Sequence, residues 1–124
     1  GPALAQTIAG LKAESPDVLG MADCGSLAAA QAAHEAGADI LGTTLVGYSG
    51  ERPMTDGPDW ECIDEVIAYG DEVGKPVFIE GRIHTPQDAA ETIRRGAWSV
   101  VVGTAITHPG RITTWFVDAI GATD

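Results

Sequence analysis

Four short apolar segments recur along the chain, and each is followed by glycine or polar residues and then by a helical pattern. Near-continuous apolar runs of this kind are typical of parallel strands buried on both faces of a sheet. A further helical pattern comes first, with Leu4, Ile8 and Leu11 on one face. The sequence therefore predicts one leading helix and four parallel strand–helix units. The predicted strands span residues 18–22, 38–45, 76–79 and 99–102.

Two α/β architectures fit such a series, an open doubly wound sheet and one half of a (β/α)8 TIM barrel. A complete barrel takes about 250 residues, and this chain has 124. An open sheet collects its ligand residues at one switch point, whereas here polar and glycine residues follow all four apolar runs. This distribution favours a half-barrel, forming a single domain over residues 3–124. The opening Gly1-Pro2 is interpreted as a remnant of tag removal.

Charge and composition exclude several classes of function. The net charge of −11 argues against a nucleic-acid partner, which needs clustered Lys and Arg, but it leaves room for a small anion held by local donors. No apolar run approaches the roughly 20 residues that span a bilayer, and no secretory signal is visible. Cys24 and Cys62 lack a metal-binding spacing. We therefore expect a cytoplasmic protein with reduced thiols and no membrane partner.

Several helix boundaries can be placed from capping residues. Ser26 and Thr85 are predicted N-caps, Pro86 takes the first position of its helix, and Pro58-Asp59 begins another helix. A last helix follows Pro109. Its apolar residues, expected to face inward, are Ile112, Trp115, Phe116 and Ala119.

Two carboxylates follow apolar runs directly. Glu80 ends the third run and precedes Gly81-Arg82. Because a carboxylate there is costly to desolvate, it either pairs with a neighbour such as Arg82 or takes part in acid/base chemistry. Asp23 ends the first run. It either caps the strand–helix turn or accepts a hydrogen bond from a sugar hydroxyl.

Glycine turns follow the last two runs. If the chain forms the second half of a barrel, Gly81-Arg82 and Gly103-Thr104 follow its seventh and eighth strands, where barrels often bind phosphate. Glycine lets backbone N–H groups approach a phosphate, and arginine can bind it with two donors. The alternative is that both glycines only form tight turns.

The remaining polar features are less specific. Residues 49–57 form a long loop after the second run, which is either a lid or an ordinary exposed loop. The three histidines form no metal pattern, and His108 either approaches a phosphate or simply begins the last helix.

Five blocks of the sequence closely resemble the bacterial N-acetylmannosamine-6-phosphate 2-epimerases. They occur in the family's order and cover nearly the whole chain after Pro16, and the run from Glu80 to Pro86 is the most specific. The blocks are residues 21–23, 42–48, 57–59, 80–86 and 101–107.

The resemblance implies the C-terminal half of a (β/α)8 barrel that interconverts N-acetylmannosamine 6-phosphate and N-acetylglucosamine 6-phosphate in sialic acid breakdown. The family reaction removes and replaces the proton at C2, with no redox cofactor or essential metal. Glu80 matches the catalytic glutamate, and Asp23 matches an active-site aspartate. The phosphate segments match Gly81, Arg82, Gly103 and Thr104.

The chain departs from the family pattern in two ways. The family's catalytic lysine lies in the first half of the barrel, and neither Lys12 nor Lys75 matches it. His108 stands where the family has arginine in a Thr-Arg-Pro run. We therefore expect the chain alone to be inactive, and to pair with an N-terminal half-barrel or with itself. The alternatives are a non-catalytic half-barrel assembly module and another phosphate-binding barrel enzyme, such as an aldolase or a synthase.

Overall fold

The computed structural model describes residues 2–121. Gly1 of the interpreted tag remnant and residues 122–124 of the predicted domain lie outside this range. The helices are α1 (Pro2–Glu14), α2 (Leu27–Glu35), α3 (Trp60–Val73), α4 (Pro86–Arg94), α5 (Thr104–Thr107) and α6 (Pro109–Gly121). The strands are β1 (Met21–Asp23), β2 (Ile40–Gly42), β3 (Val77–Glu80) and β4 (Ser99–Val101).

The four strands form one parallel sheet in the order β1-β2-β3-β4. Each strand is joined to the next by a helix, so that strands adjacent in sequence are also adjacent in space. The prediction of a leading helix and four parallel strand–helix units is confirmed. The one addition is the short helix α5, which lies between β4 and α6.

The hydrophobic core lies between the sheet and helices α2, α3 and α4. Successive strand residues point to opposite faces, so Val77 and Ile79 of β3 are buried while Phe78 and Glu80 face the other way and are partly exposed. The other buried apolar residues of this core include Ala30, Ala33, Leu41, Cys62, Ile63, Val66 and Ile67.

Residues 2–121 leave the opposite face of the sheet uncovered, which corrects the expectation of strands buried on both faces. On this face Met21 is 45% exposed and Trp98 is 71% exposed. The rings of Phe78 and Trp98 stack there with centroids 5.5 Å apart. In a closed barrel the corresponding face lines the packed interior, which accounts for its apolar character in a sheet of four strands.

The helices begin at the predicted capping residues. Ser26 Oγ accepts a hydrogen bond from the Ala29 amide at 3.1 Å, and Thr85 Oγ1 accepts one from the Asp88 amide at 3.0 Å. Asp59 caps α3 in the same way. Such caps satisfy backbone N–H groups that have no partner within their helix.

The last helix differs from its prediction. Phe116 is 68% exposed and Ala119 is also exposed, so both were wrongly placed in the interior. Ile112 and Trp115 are partly buried, and the Trp115 ring contacts the His84 ring at 4.6 Å. The apolar pattern of α6 is real, but within residues 2–121 most of its apolar face has no core to pack against. No helix of this described range is both long enough and apolar enough to cross a bilayer.

Candidate active site

The two carboxylates singled out in the sequence lie at the same edge of the sheet. Asp23 is the last residue of β1 and pairs in register with Gly42, whereas Glu80 is the last residue of β3 and pairs with Val101. Because all the strands are parallel, their carboxyl ends meet at one edge, where barrel enzymes place their active sites.

A threonine that follows β2 joins the two carboxylates. Thr44 Oγ1 lies 2.9 Å from Asp23 Oδ1 and 3.1 Å from Glu80 Oε2. Since β2 lies between β1 and β3, this hydroxyl spans the gap between two strands that do not pair with each other. The two acidic side chains therefore belong to one connected polar group.

Thr43, the residue before Thr44, holds the backbone of Glu80 in place. Thr43 Oγ1 donates a hydrogen bond to the Glu80 carbonyl oxygen at 2.9 Å and accepts one from the Glu80 amide at 3.0 Å. Sequence reasoning assigned no role to Thr43 or Thr44. One sequence signal could have indicated these two threonines: both directly follow a buried parallel strand, at the edge of the sheet where Asp23 and Glu80 were also predicted to lie.

A cavity of about 250 Å³ opens beside Glu80. It brings five of the six predicted site residues together, and Asp23 is connected to them through Thr44. Its lining consists of Thr44, Tyr48, Glu80, Gly81, Arg82, Ile83, His84, Val101, Gly103 and Thr104.

Arg82 is held against the loop that follows β2. Its Nε donates to the Gly57 carbonyl oxygen at 3.0 Å and its Nη1 donates to the Val46 carbonyl oxygen at 3.0 Å. The guanidinium also lies 5.3 Å from the centre of the Tyr48 ring. Arg82 adopts a φ of 56°, a backbone region that non-glycine residues rarely occupy. These contacts use two of the five N–H donors of the guanidinium.

A second arginine, Arg52, ties the middle of this loop to the start of α3. Arg52 Nε donates to Asp59 Oδ2 at 2.6 Å and Arg52 Nη2 donates to Glu61 at 2.7 Å. The hydrogen bond from Arg52, assisted by the Cys62 amide, holds the pKa of the buried Asp59 carboxyl below its usual value against the effect of burial. The loop predicted over residues 49–57 is therefore held at Arg52, in its middle, and at Gly57, its last residue.

The turn after β4 leads directly into α5. Gly103 precedes the helix and Thr104 is its first residue. His108 begins α6, because its Nδ1 accepts a hydrogen bond from the Arg111 amide at 3.1 Å. Its imidazole thus acts as a helix cap in this structure.

The two cysteine thiols do not line the cavity. Cys24 and Cys62 are buried free thiols, and burial raises the pKa of each to about 11. Among residues 2–121 no cluster of three His, Cys, Asp or Glu side chains is arranged to hold a metal ion.

The fold and the edge site define one half of a (β/α)8 barrel whose strand ends carry two linked carboxylates beside glycine turns. Residues 3–122 match the NanE family, described as "Putative N-acetylmannosamine-6-phosphate epimerase". The chain belongs to this family, as the five sequence blocks indicated.

Two relatives illustrate the extent of the similarity. A "Putative N-acetylmannosamine-6-phosphate 2-epimerase" from Cutibacterium acnes is 57% identical over 120 residues, a match that covers 97% of this chain and 52% of that protein. A "Bifunctional enzyme NanE/NanK" from Brucella melitensis is 48% identical over 102 residues, which covers 82% of this chain and 19% of that protein.

A solved structure, described as the N-acetylmannosamine-6-phosphate 2-epimerase from Clostridium perfringens, superposes with a TM-score of 0.84 at 34% identity. The match covers 94% of this chain and 48% of that chain. The predicted fold class is confirmed, and the chain spans about half the length of the 2-epimerase relatives it matches.

Proposed function

We propose that this chain supplies the C-terminal half of an active site that interconverts N-acetylmannosamine 6-phosphate and N-acetylglucosamine 6-phosphate. The observation that carries the proposal is the Glu80 carboxylate beside the cavity, linked through Thr44 to Asp23 and flanked by Gly81. The names of the relatives supply the substrate class.

The reaction moves one proton at C2 of the sugar, next to the carbonyl carbon C1. Glu80 serves as one acid/base group, because its carboxylate is held at a strand end within reach of a ligand in the cavity. Asp23 orients the sugar by accepting hydrogen bonds from its hydroxyl groups. Its exposed position at the end of β1 fits this role.

The phosphate is held on the other side of the cavity. The turns at Gly81-Arg82 and Gly103-Thr104 both line it, and glycine permits close approach of backbone N–H groups to phosphate oxygens. Arg82 adds positive charge through the donors that do not hold the loop.

The other acid/base group is contributed by the rest of the barrel. We infer that the chain alone has little or no activity, and that the uncovered sheet face meets the N-terminal half of a barrel. An apolar cavity of about 290 Å³ on this face supports the pairing. Its lining includes Leu19, Ile40, Pro76, Phe78 and Trp98.

The direct test combines this chain with a separately made N-terminal half of the Cutibacterium acnes relative, a protein of which this chain matches 52%. Proton NMR in D2O then follows both epimerisation and deuterium uptake at C2. We expect activity only in the mixture, and a loss of at least about a hundredfold with Glu80→Gln, which keeps the shape but cannot take up a proton. Equal activity of the Glu80→Gln mixture, or full turnover by the chain alone, would contradict the proposal.

The uncovered apolar face also favours a second candidate, a non-catalytic half-barrel that acts as an assembly module. Large exposed apolar surfaces usually mark an interaction site. Light scattering over a range of concentrations, with and without the N-terminal portion, distinguishes the two candidates. Association and sugar-phosphate binding without turnover would favour the module, whereas turnover in the mixture favours the enzyme.

A further inference from the structure

The Thr44 hydroxyl lies between the two carboxylates of the site. It is within hydrogen-bond distance of both acidic side chains, Asp23 at 2.9 Å and Glu80 at 3.1 Å. A hydroxyl carries one proton to donate and two lone pairs to accept. It can therefore donate to only one of the two carboxylates at a time.

The surrounding backbone holds Thr44 in place. Thr43, its neighbour, is locked to the Glu80 backbone by two hydrogen bonds. Gly42 lies under the Thr44–Asp23 contact, because a Cβ atom at position 42 would stand 3.6 Å from Thr44 Oγ1 and 3.7 Å from Asp23 Oδ1. The branched Cβ of threonine also restricts its side-chain rotation. Only the hydroxyl proton can reorient at little cost.

We propose that Thr44 is a positioning residue that shifts its hydrogen bond between Glu80 and Asp23 as the reaction proceeds. This inference rests on the proposed function, in which Glu80 takes up the C2 proton. Before transfer, the Thr44 hydroxyl donates to the Glu80 carboxylate and orients it. After transfer, the protonated Glu80 donates to Thr44 Oγ1, and the Thr44 proton turns to the Asp23 carboxylate.

This arrangement keeps the Thr44–Glu80 hydrogen bond in both states, with its direction reversed. One proton moves from the sugar to Glu80, and the Thr44 proton only changes its acceptor. The Thr44 proton bonds to the Glu80 carboxylate before transfer and turns to the Asp23 carboxylate once Glu80 has become neutral, so it always bonds to a charged group, and such bonds are stronger than neutral ones. The hydroxyl should therefore affect the chemical step and leave substrate binding largely unchanged.

The first test uses the mixture of this chain with the N-terminal portion and compares Thr44→Val with Thr44→Ser. Valine keeps the shape and removes the hydroxyl, whereas serine keeps the hydroxyl. We expect kcat to fall about ten- to a hundredfold in Thr44→Val with KM little changed, and Thr44→Ser to restore most of the rate. An unchanged kcat, or a rise in KM alone, would overturn the inference while leaving the epimerase proposal intact.

The second test needs no turnover and uses this chain alone. The side-chain carboxyl 13C resonances of Asp23 and Glu80 report on hydrogen bonding at each group. Both should move in Thr44→Val and return in Thr44→Ser, with the exposed Thr113→Val as the matched control. An inactive wild-type mixture would refute the proposed function, but the two carboxyl resonances would still show whether Thr44 bonds to Asp23 and Glu80. If neither resonance moves in Thr44→Val, the Thr44 hydrogen bonds themselves are refuted.

Discussion

The Thr43 hydroxyl donates to the Glu80 carbonyl oxygen at 2.9 Å and accepts from the Glu80 amide at 3.0 Å. The Thr43 amide in turn donates to the Phe78 carbonyl oxygen at 3.1 Å. Together these bonds continue the pairing of β2 with β3 beyond the end of β2. Thr43 is only 2% exposed, so water cannot replace the hydrogen bonds of its hydroxyl.

Thr43→Val is therefore expected to destabilise the fold, because it leaves the partly buried amide and carbonyl group of Glu80 without the threonine partner. The expected cost is about 1–3 kcal/mol in the free energy of unfolding, measured by urea titration. Thr43→Ser retains the hydroxyl and should cost less. Equal stability of Thr43→Val and wild type would show that the backbone of Glu80 finds another partner.

Acid should weaken the anchor between Arg52 and Asp59. The ion pair keeps the pKa of Asp59 below its ordinary value of 3.8, so the folded state binds this proton less readily than the unfolded state. The associated stability is fully present above about pH 4 and is lost as the pH falls through the lower folded pKa.

Asp59→Asn tests this sign, since asparagine can still cap α3 but cannot form the ion pair. We expect the substitution to lower the free energy of unfolding by about 1–3 kcal/mol near neutral pH. The variant should also lose less stability than wild type on acidification. Urea titrations at several values between about pH 7 and about pH 3 measure both effects. The exposed Asp56→Asn serves as the control. If Asp59→Asn loses as much stability in acid as wild type, the Arg52–Asp59 ion pair does not contribute to acid sensitivity.

Two glycines of the loop after β2 offer a matched pair of substitutions. Gly47 has a φ of 83° and Gly50 a φ of 82°, so alanine is strained by about 1 kcal/mol or more at either site. A Cβ at Gly47 would also lie 3.1 Å from both terminal nitrogens of Arg82, whereas Gly50 has open space around it.

Gly47→Ala should therefore cost more than Gly50→Ala, by about 1 kcal/mol, because it displaces the arginine that holds the loop. Amide hydrogen exchange should become faster over residues 46–57 in Gly47→Ala, and less so in Gly50→Ala. Identical exchange in the two variants would mean that the Arg82 contacts contribute little to the order of the loop.

The two thiols should be unreactive in the folded chain. Burial raises the pKa of Cys24 and of Cys62 to about 11, so the thiolate form is scarce at neutral pH. Alkylation by iodoacetamide at about pH 8, followed by mass spectrometry, is expected to be at least about a hundredfold slower than in chain unfolded by guanidinium. Rapid modification of either thiol in the folded state would contradict its burial.

The sequence predicted the elements and the strand-end residues because both depend on local patterns. Apolar runs, caps such as Ser26 and Thr85, and carboxylates directly after a strand can all be recognised within a few residues. Three of the four strands were predicted too long, most clearly β2, which spans Ile40–Gly42 where residues 38–45 were predicted, whereas β3 has its predicted length and is shifted by one residue.

Contacts between distant segments could not be predicted in this way. The bridge from Thr44 to Asp23 and Glu80, and the hold of Arg82 on the loop carbonyls, depend on which strands lie side by side. Phe116 was misplaced for a related reason, since an apolar helix face indicates that a partner surface is needed but not whether residues 2–121 provide it.

The link between β1, β2 and β3 through Thr44 has a consequence for how this sequence can change over time. An insertion or deletion of one residue within β2 would turn its side chains to the opposite face, and the Thr44 hydroxyl would no longer reach either carboxylate. The loop over residues 49–57 begins beyond this point, where added residues would leave the strand register intact. We therefore expect natural length variation to be confined to such loops, while the spacing between Ile40 and Thr44 stays constant wherever both acids are kept.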